Sequence, residues 1–193
     1  YDGSCRNLSE EERKAYEAEG RKPVLRFKLP EEEREIIVED LIRGNVSFSS
    51  SVLDDFIIFK SDGMPTYNFA VVIDDALMKI SHVIRGEDRL SNTPKQILIY
   101  EALDFELPKF AHLPLILDEN KAKLKKRGKD SVYIGEFREQ GYLPEALFNF
   151  MALLGWSSGD EEEILSQAEI IERFDIEDVN KSGAVFDREK LNW

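Results

Sequence analysis

Charged side chains gather at the end of one alternating segment, in residues 82–88. Arg85 can form a bidentate ion pair with a carboxylate, because its planar guanidinium matches the two carboxylate oxygens. Glu87 and Asp88 can accept hydrogen bonds from a ribose hydroxyl or an amino group. These residues could therefore bind a charged substrate, although an exposed ion pair at a strand end is the plainer alternative. We interpret His82 as a packed histidine rather than a base.

A second candidate is a dense cationic loop beside Gly128. Its members are Lys121, Lys123, Lys125, Lys126, Arg127 and Lys129. Several ammonium groups on a loop can neutralise the negative charge that builds on a triphosphate as pyrophosphate leaves. The same run would also suit a solvated loop or a nonspecific RNA contact. Neither group of residues identifies a reaction by itself.

Local signals predict the elements that would hold the first of these groups. Residues 79–84 alternate like a strand that ends at 85–86. An N-cap threonine, a proline and a glutamine within 93–96 predict a helix over 94–103. A strand, a polar loop and a capped helix form half of a βαβ unit, in which ligands usually lie at the carboxyl end of the strand. Arg85 falls at that place.

The segments before this unit predict one exposed helix and a β-rich module. Ser9 and Glu12 form a capping box for a short helix that ends at Gly20. Segments bounded by turn residues predict strands at 24–27, 35–42, 46–48 and 55–59. Residues 67–75 are mainly apolar, and their periodicity leaves helix and strand open.

The last part of the sequence is predicted to be mainly helical. A helix over 144–154 carries one apolar stripe and stops at Gly155. The members of that stripe are Leu147, Phe150, Met151 and Leu154. Ser166 and Glu169 form a second capping box, and residues 186–191 begin a further helix.

Composition favours a folded cytoplasmic protein. The 193 residues are 42% apolar, and no stretch approaches the roughly 18 apolar residues that a membrane span needs. The single cysteine, Cys5, excludes an internal disulfide framework and fits a reducing compartment, and we interpret it as a buried small side chain. The net charge of −13 disfavours wrapping nucleic acid, yet the acidic runs lie apart from the basic run at 121–129.

Read together and in order, several longer strings resemble one protein family. They are residues 62–72, 74–75, 82–88, 90–96, 111–116, 141–147, 153–156, 184–187 and 189–191. The series resembles bacterial-type glutamyl-tRNA synthetase, a class I aminoacyl-tRNA synthetase, over essentially the whole sequence. The family's first signature, of the His-Ile-Gly-His type, and its anticodon-reading helices are absent. The resemblance therefore implies a piece truncated at both ends.

The resemblance implies an α/β fold around the second half of a class I Rossmann-type catalytic core. Residues 1–68 would be part of a small α+β insertion that binds the acceptor end of tRNA. Residues 69–107 would be the second half of the catalytic domain. Residues 108–193 would be a mainly helical stem-contact domain, truncated, that carries the lysine signature loop.

The resemblance also implies roles for individual side chains. Tyr67 and Arg85 correspond to residues that hold glutamate. Glu87 and Asp88 lie where the family contacts substrate and ATP, and Leu115 lies near where the backbone meets adenine.

A five-residue string corresponds to the family's signature loop: Lys123, Leu124, Lys125, Lys126 and Arg127. Lys123 and Lys126 match the two lysines expected to stabilise the ATP phosphates during adenylate formation. Lys125 stands where the usual loop has serine, and Gly128 stands where a histidine often follows. The lost hydroxyl and the added charge call normal closure of the loop into question.

The function implied is that of a glutamate–tRNA ligase fragment. The intact protein would be a monomer that uses glutamate, ATP and Mg²⁺ to form glutamyl-adenylate, then esterifies the 3′ end of tRNA, with no membrane partner. Half of the nucleotide site would be missing, so we expect this chain alone to be inactive. A noncatalytic synthetase-like tRNA-binding module is the alternative, and Lys125 supports it.

The amino-terminal residues 1–6 resemble a segment that, in some relatives, supplies a cysteine and a nearby histidine to a structural zinc. Asn7 replaces that histidine. Tetrahedral zinc needs about four ligands. Cys5 could therefore bind zinc only with ligands from upstream of this sequence.

Overall fold

Residues 1–124, 133–159 and 162–192 are described in the structure, which is a computed structural model. In chain order the helices are α1 Glu10–Ala18, α2 Tyr67–Leu77, α3 Thr93–Ala102, α4 Ile134–Glu139, α5 Pro144–Leu153, α6 Gln167–Arg173 and α7 Arg188–Asn192. The strands are β1 Leu25–Arg26, β2 Glu35–Asp40, β3 Gly44–Ser49, β4 Ile57–Phe59, β5 His82–Gly86, β6 Lys109–Leu113, β7 Ile116–Leu117 and β8 Ala184–Val185. Short 3₁₀ turns occupy Ser50–Val52, Glu87–Asn92 and Ile176–Asp178.

The chain divides into two compact units, each assembled from separate stretches. Unit 1 comprises Tyr1–Glu39, Asn45–His82 and Ser91–Lys109. Unit 2 comprises Asp40–Gly44, Val83–Leu90 and Phe110–Trp193. The chain combines helices and strands, which is the α/β class that the family resemblance implies, and four strands adjoin in the order β3-β2-β6-β5.

The amino-terminal part of unit 1 follows its sequence signals closely. Ser9 accepts a hydrogen bond from the Glu12 N–H at 3.2 Å, and the Glu12 carboxylate accepts one from the Ser9 N–H at 2.8 Å, so the predicted capping box is present. Strand β1 pairs antiparallel with β4. The rings of Phe27 and Phe56 stack beside them with centroids 5.1 Å apart.

The mainly apolar segment that periodicity left open is helix α2, which packs on α3. The Gln96 amide of α3 donates to the Asn68 amide oxygen at 3.1 Å. The predicted capping role of Thr93 is wrong: the N-cap position is Asn92, and Thr93 is the fully buried first residue of the helix. The 3₁₀ turn Glu87–Asn92 leads directly into α3, so the helix continues an existing turn instead of starting at a capping side chain.

Unit 2 has two apolar clusters beneath its helices. Buried Ile42, Ala111, Trp156, Leu165, Ile170 and Val179 form the first. Buried Phe137, Phe150, Phe186 and Leu191 form the second, with Leu124, Tyr142, Leu147 and Leu154 packed against them. Met151 belongs to the predicted apolar stripe of α5 but is 49% exposed, so only part of that stripe faces the core.

The remaining sequence predictions for unit 2 need one adjustment. The capping box of α6 is present, since Ser166 accepts from the Glu169 N–H at 3.3 Å. The last helix begins at Arg188 and not at Phe186. Phe186 is instead a buried member of the second apolar cluster. The Asp187 carboxylate accepts from the Glu189 N–H in the first turn of the helix at 2.9 Å. In the part of the chain that the structure describes, no helix is long and apolar enough to cross a membrane.

Candidate functional site

Strand β5 and the 3₁₀ turn that follows it carry three of the predicted site residues. Arg85 is the fourth residue of β5, and Glu87 and Asp88 open the turn Glu87–Asn92. The strand begins at His82, later than the predicted position 79, because Lys79 has a positive φ of 55° that interrupts extended backbone. Arg85, Glu87 and Asp88 all belong to unit 2.

Arg85 is oriented by a histidine from strand β6. Its Nε–H donates to Nε2 of His112 at 3.1 Å. The His112 side chain is fully buried, and its ring stacks beside Phe110 with centroids 6.3 Å apart. The guanidinium of Arg85 is therefore anchored on its Nε edge by a rigid neighbour.

His112 is in turn held by Asp40, the last residue of β2. Nδ1 of His112 lies 2.6 Å from Oδ2 of Asp40. The backbone N–H of His112 donates to both carboxylate oxygens, at 3.2 and 3.0 Å. The backbone N–H groups of Ile42 and Arg43 donate to Oδ1 at 3.1 and 2.9 Å. Asp40 thus fastens the end of β2 to β6, at the point where its backbone pairs in parallel with Phe110.

The charges of this buried pair follow from its surroundings. Burial lowers the pKa of His112, and the hydrogen bond and charge of Asp40 only partly oppose that effect. Burial alone would raise the pKa of Asp40, but hydrogen bonds from Arg43, His112 and Ile42 outweigh it and leave the pKa of Asp40 below its usual value. Asp40 is therefore an anion and His112 a neutral imidazole near pH 7.

A second set of contacts surrounds Glu87. Its carboxylate forms an ion pair with the guanidinium of Arg43. Oε1 of Glu87 also accepts from the backbone N–H of Leu115 at 3.2 Å, and Nε of Arg43 donates to the carbonyl oxygen of His112 at 3.3 Å. Glu87 therefore holds the main chain at Leu115, where the family resemblance implies a contact with adenine.

Asp88, in the turn after β5, forms an ion pair with Lys123, the first residue of the signature loop. Nζ of Lys123 donates to Oδ2 of Asp88 at 2.7 Å, with both side chains partly exposed. This hydrogen bond and the charge of Lys123 hold the pKa of Asp88 below its ordinary value. The backbone N–H of Leu124 donates to the Ile116 carbonyl at 3.0 Å. Predicted site residues Lys125, Lys126 and Arg127 lie outside the described residues.

The other candidates from the sequence belong to unit 1. Tyr67 is the first residue of α2 in unit 1 and is 49% exposed. Two interpretations were wrong. His82 is exposed instead of packed, and Nδ1 of its ring lies 3.0 Å from the Ser81 hydroxyl. Cys5 is an exposed free thiol instead of a buried side chain. Across residues 1–124, 133–159 and 162–192, no group of three or more His, Cys, Asp or Glu side chains is placed to hold a metal ion.

Sequence reasoning did not single out Asp40, Arg43 or His112 as site residues. A signal for Asp40 was present, because strand β2 alternates and places the carboxylate on the same face as buried Ile36 and Val38. An ionised carboxylate on a buried face requires several hydrogen-bond partners. No comparable signal marked His112 as the partner of Arg85. The two residues meet because β5 and β6 are adjacent strands, and that adjacency cannot be read from local sequence.

Comparison with known proteins gives a consistent result. A family model described as class I tRNA synthetases (E and Q), catalytic domain, matches residues 1–193. Glutamate–tRNA ligase of Carboxydothermus hydrogenoformans is 58% identical over 193 residues, which are 100% of this chain and 40% of that protein. The corresponding ligase of Natranaerobius thermophilus is 60% identical over 100% of this chain and 39% of its own length.

Solved structures agree with the sequence relatives. A crystal structure of a glutamate tRNA ligase from Elizabethkingia meningosepticum, in complex with its amino acid, is 44% identical and superposes with a TM-score of 0.87. That comparison covers 100% of this chain and 43% of the crystallised chain. The chain thus spans about 40% of the length of the relatives it matches.

Proposed function

Because the chain belongs to the catalytic-domain family of class I glutamyl- and glutaminyl-tRNA synthetases, we propose that it forms part of a site that activates glutamate with ATP. The product would be glutamyl-adenylate, and the glutamyl group would then be transferred to the 3′ end of tRNA. The chain would act together with residues that its relatives carry outside the matched span. Without them it would be inactive.

Arg85 is the proposed partner of a glutamate carboxylate, with Tyr67 as a second glutamate contact. What supports this role is the anchored guanidinium: Arg85 donates through Nε to buried His112 at 3.1 Å. An arginine whose orientation is set before the substrate arrives binds a planar carboxylate more tightly than a freely rotating one. Neutral glutamine would leave this cation poorly paired, so Arg85 would favour glutamate.

The ATP phosphates are the proposed ligands of Lys123 and Lys126. The support for Lys123 is its 2.7 Å ion pair with Asp88, which keeps the ammonium group next to the turn that follows Arg85. Glu87, Asp88 and Leu115 would lie along the nucleotide, with Glu87 holding the Leu115 main chain. Mg²⁺ would accompany the phosphates, since it usually binds through substrate phosphates and water.

The proposed reaction needs no nucleophile from the protein. A carboxylate oxygen of glutamate attacks the α-phosphorus of ATP, the bond from that phosphorus to the bridging oxygen breaks, and pyrophosphate leaves. The chain's residues would bring the two reactants together and stabilise the charge that develops on the phosphates. These are positioning and electrostatic contributions from Arg85, Lys123 and Lys126.

We further propose the family's division of the chain: residues 1–68 as an acceptor-end insertion, 69–107 as the second half of the catalytic domain and 108–193 as a stem-contact domain. An open cavity of about 750 Å³ in unit 1 supports the first assignment. Its lining includes Arg13 and two stacked pairs, Arg26 over Tyr1 at 3.9 Å and Arg21 over Tyr16 at 4.3 Å. Cations beside aromatic rings suit the phosphates and unstacked bases of a single-stranded RNA end.

The observation that carries the proposal is that Arg85, Asp88 and Lys123 occur together in unit 2, with Arg85 oriented by a buried pair. The test is a chimera in which this chain replaces its counterpart in the Carboxydothermus hydrogenoformans ligase. We expect glutamate-dependent exchange of pyrophosphate into ATP. The unmodified ligase, assayed in parallel, is the positive control.

A folded but inert chimera would favour a noncatalytic tRNA-binding module, provided that Lys125→Ser also failed to restore exchange. Restoration by Lys125→Ser would instead locate the defect in the signature loop and leave the proposed site intact. Circular dichroism and thermal unfolding of each chimera would establish that the proteins compared are folded.

A further inference from the structure

The buried pair of Asp40 and His112 has no place in the chemistry proposed above, since neither residue would touch a reacting atom. Asp40 is 5% exposed and His112 is fully buried. Removing a carboxylate and an imidazole from water costs free energy unless hydrogen bonds within the protein replace those to water. Nε2 of His112 accepts from Nε of Arg85, a predicted substrate ligand, at 3.1 Å.

We propose that His112 and Asp40 are positioning residues for Arg85, and that Asp40 does so by selecting the tautomer of His112. This inference rests on the proposed function in one respect, namely that Arg85 binds a carboxylate of glutamate. The imidazole accepts the Arg85 Nε–H on Nε2 and donates its Nδ1–H to Asp40. The two contacts together permit only this arrangement of protons.

The proton assignment follows from the partners. Arg85 has only donors, so Nε2 of His112 must present a lone pair toward it. A neutral imidazole with a free lone pair on Nε2 carries its proton on Nδ1, which lies 2.6 Å from the Asp40 carboxylate. The other tautomer, or a protonated ring, would point an N–H at the Arg85 N–H and push the guanidinium away.

Asp40 cannot rotate to accommodate a different tautomer, because its oxygens are already fastened by the backbone. Oδ1 accepts from the N–H groups of Ile42, Arg43 and His112 at 3.1, 2.9 and 3.2 Å. Oδ2 accepts from the backbone N–H of His112 at 3.0 Å and faces Nδ1 of the same residue at 2.6 Å. The backbone at the end of β2 therefore fixes which nitrogen of His112 carries the proton. The unprotonated Nε2 in turn orients Arg85 by accepting its Nε–H.

Orientation matters because misplacing a substrate-binding group by about 1 Å can reduce a rate about 10²-fold. Asp40→Asn is the discriminating variant. The backbone N–H groups keep the amide oxygen at the Oδ1 position, so the amide N–H₂ faces Nδ1 of His112 and forces the proton onto Nε2. The substitution is isosteric, but His112 then presents a donor to Arg85.

The experiment measures the KM values of glutamate and of ATP in pyrophosphate exchange by the chimera. We expect Asp40→Asn to raise the KM of glutamate about 10- to 100-fold, the range for a hydrogen bond to a charged group. The KM of ATP should change less than about threefold. Equal changes in the two KM values, or none, would overturn the proposal.

A second pair of variants separates hydrogen bonding from packing. His112→Gln keeps an acceptor that reaches the Nε2 position, whereas His112→Phe keeps an aromatic ring beside Phe110 but offers no acceptor. We expect the KM of glutamate to rise much more in His112→Phe than in His112→Gln. The reverse order would mean that His112 acts by packing and would refute the positioning role. Should His112→Phe fail to fold, Asp40→Asn decides the matter alone.

Two controls complete the design. Val179→Ala removes buried apolar volume from unit 2 away from Arg85, so it should lower thermal stability and leave the KM of glutamate unchanged. Arg85→Ala tests the premise. If Arg85→Ala leaves the KM of glutamate unchanged, the proposed function of Arg85 fails. If Arg85→Ala raises that KM but Asp40→Asn and His112→Phe leave it unchanged, as Val179→Ala should, the positioning role fails while the function of Arg85 stands.

Discussion

Arg85, His112 and Asp40 come from three strands, and each depends on the next for its charge state or orientation. The carboxylate is anchored by backbone N–H groups, the imidazole is anchored by the carboxylate, and the guanidinium donates to the imidazole. Charged groups in such a series of buried hydrogen bonds interact more strongly than charged groups on the surface, because burial removes competing water. Single substitutions here should therefore have large and specific effects.

Replacing Arg85 with alanine should weaken the use of glutamate by about 2–5 kcal/mol in kcat/KM, the scale for losing one partner of a desolvated charge pair. Pyrophosphate exchange by the chimera, followed over a range of glutamate concentrations, measures the effect. Arg173→Ala is the matched control, since Arg173 pairs with Glu162 at 3.1 Å on the surface of the same unit. An unchanged response to glutamate would remove Arg85 from the site.

His112 also predicts how stability depends on pH. Its pKa in the folded protein is lowered from 6.5, so the unfolded chain binds the proton more readily. The free energy of unfolding should therefore fall as the pH drops below 6.5 and level off once the pH is below the folded pKa. Denaturant unfolding between neutral and mildly acidic pH should show this slope, and His112→Gln should reduce it. Equal slopes would contradict the lowered pKa.

At the scale of elements, the two capping boxes have the same chemistry but different tertiary surroundings. Helix α1 has no buried residue, whereas α6 buries Ile170 in the first apolar cluster of unit 2. A cap contributes to global stability only when the helix it begins is part of the cooperative core. The same hydrogen bonds should therefore contribute unequally to the free energy of unfolding.

Ser166→Ala should lower the free energy of unfolding by about 1 kcal/mol, the typical cost of losing an N-cap side chain. Ser9→Ala is the matched control, since it removes an equivalent cap from α1 and should only fray that helix. Denaturant unfolding of the two variants measures the difference. Equal losses would mean that α1 is coupled to the core as strongly as α6.

For the molecule as a whole, the net charge of −13 opposes a general attraction to RNA, so the proposed binding of tRNA would depend on local basic surfaces. The cavity of unit 1 is one such surface, and Arg13 lines it. Each phosphate contact releases counterions, which makes the affinity depend on salt. The sign of the total charge therefore says less about the partner than its distribution does.

Arg13→Ala should weaken binding of a hairpin that carries the acceptor stem and 3′ end of a glutamate tRNA. It should also reduce the slope of log K against log salt by about 1, the value for one phosphate contact. Fluorescence anisotropy of the chimera at several salt concentrations measures both quantities. Lys14→Ala is the neighbouring control, because Lys14 pairs with Glu10 at 2.8 Å on α1. Equal effects of the two substitutions would argue against a specific role for the cavity.

The local features of this protein, and the family to which it belongs, could be predicted from its amino-acid sequence. Capping boxes, turn residues and the alternation of β2 are set by contacts between near neighbours along the chain, so their positions were predictable. Matching strings over the whole sequence indicated the synthetase family, which the relatives then showed. The same reasoning named Arg85, Glu87, Asp88 and Lys123 as candidates.

The residues that surround those candidates could be identified only from the folded structure. It showed that α2 is a helix, that His82 is exposed, and that His112 and Asp40 meet from 72 positions apart to anchor Arg85. Such contacts depend on which strands become neighbours in a sheet, and no local propensity encodes that choice. The physical reason is that a buried charge is stabilised by partners brought close in space, wherever they lie along the chain.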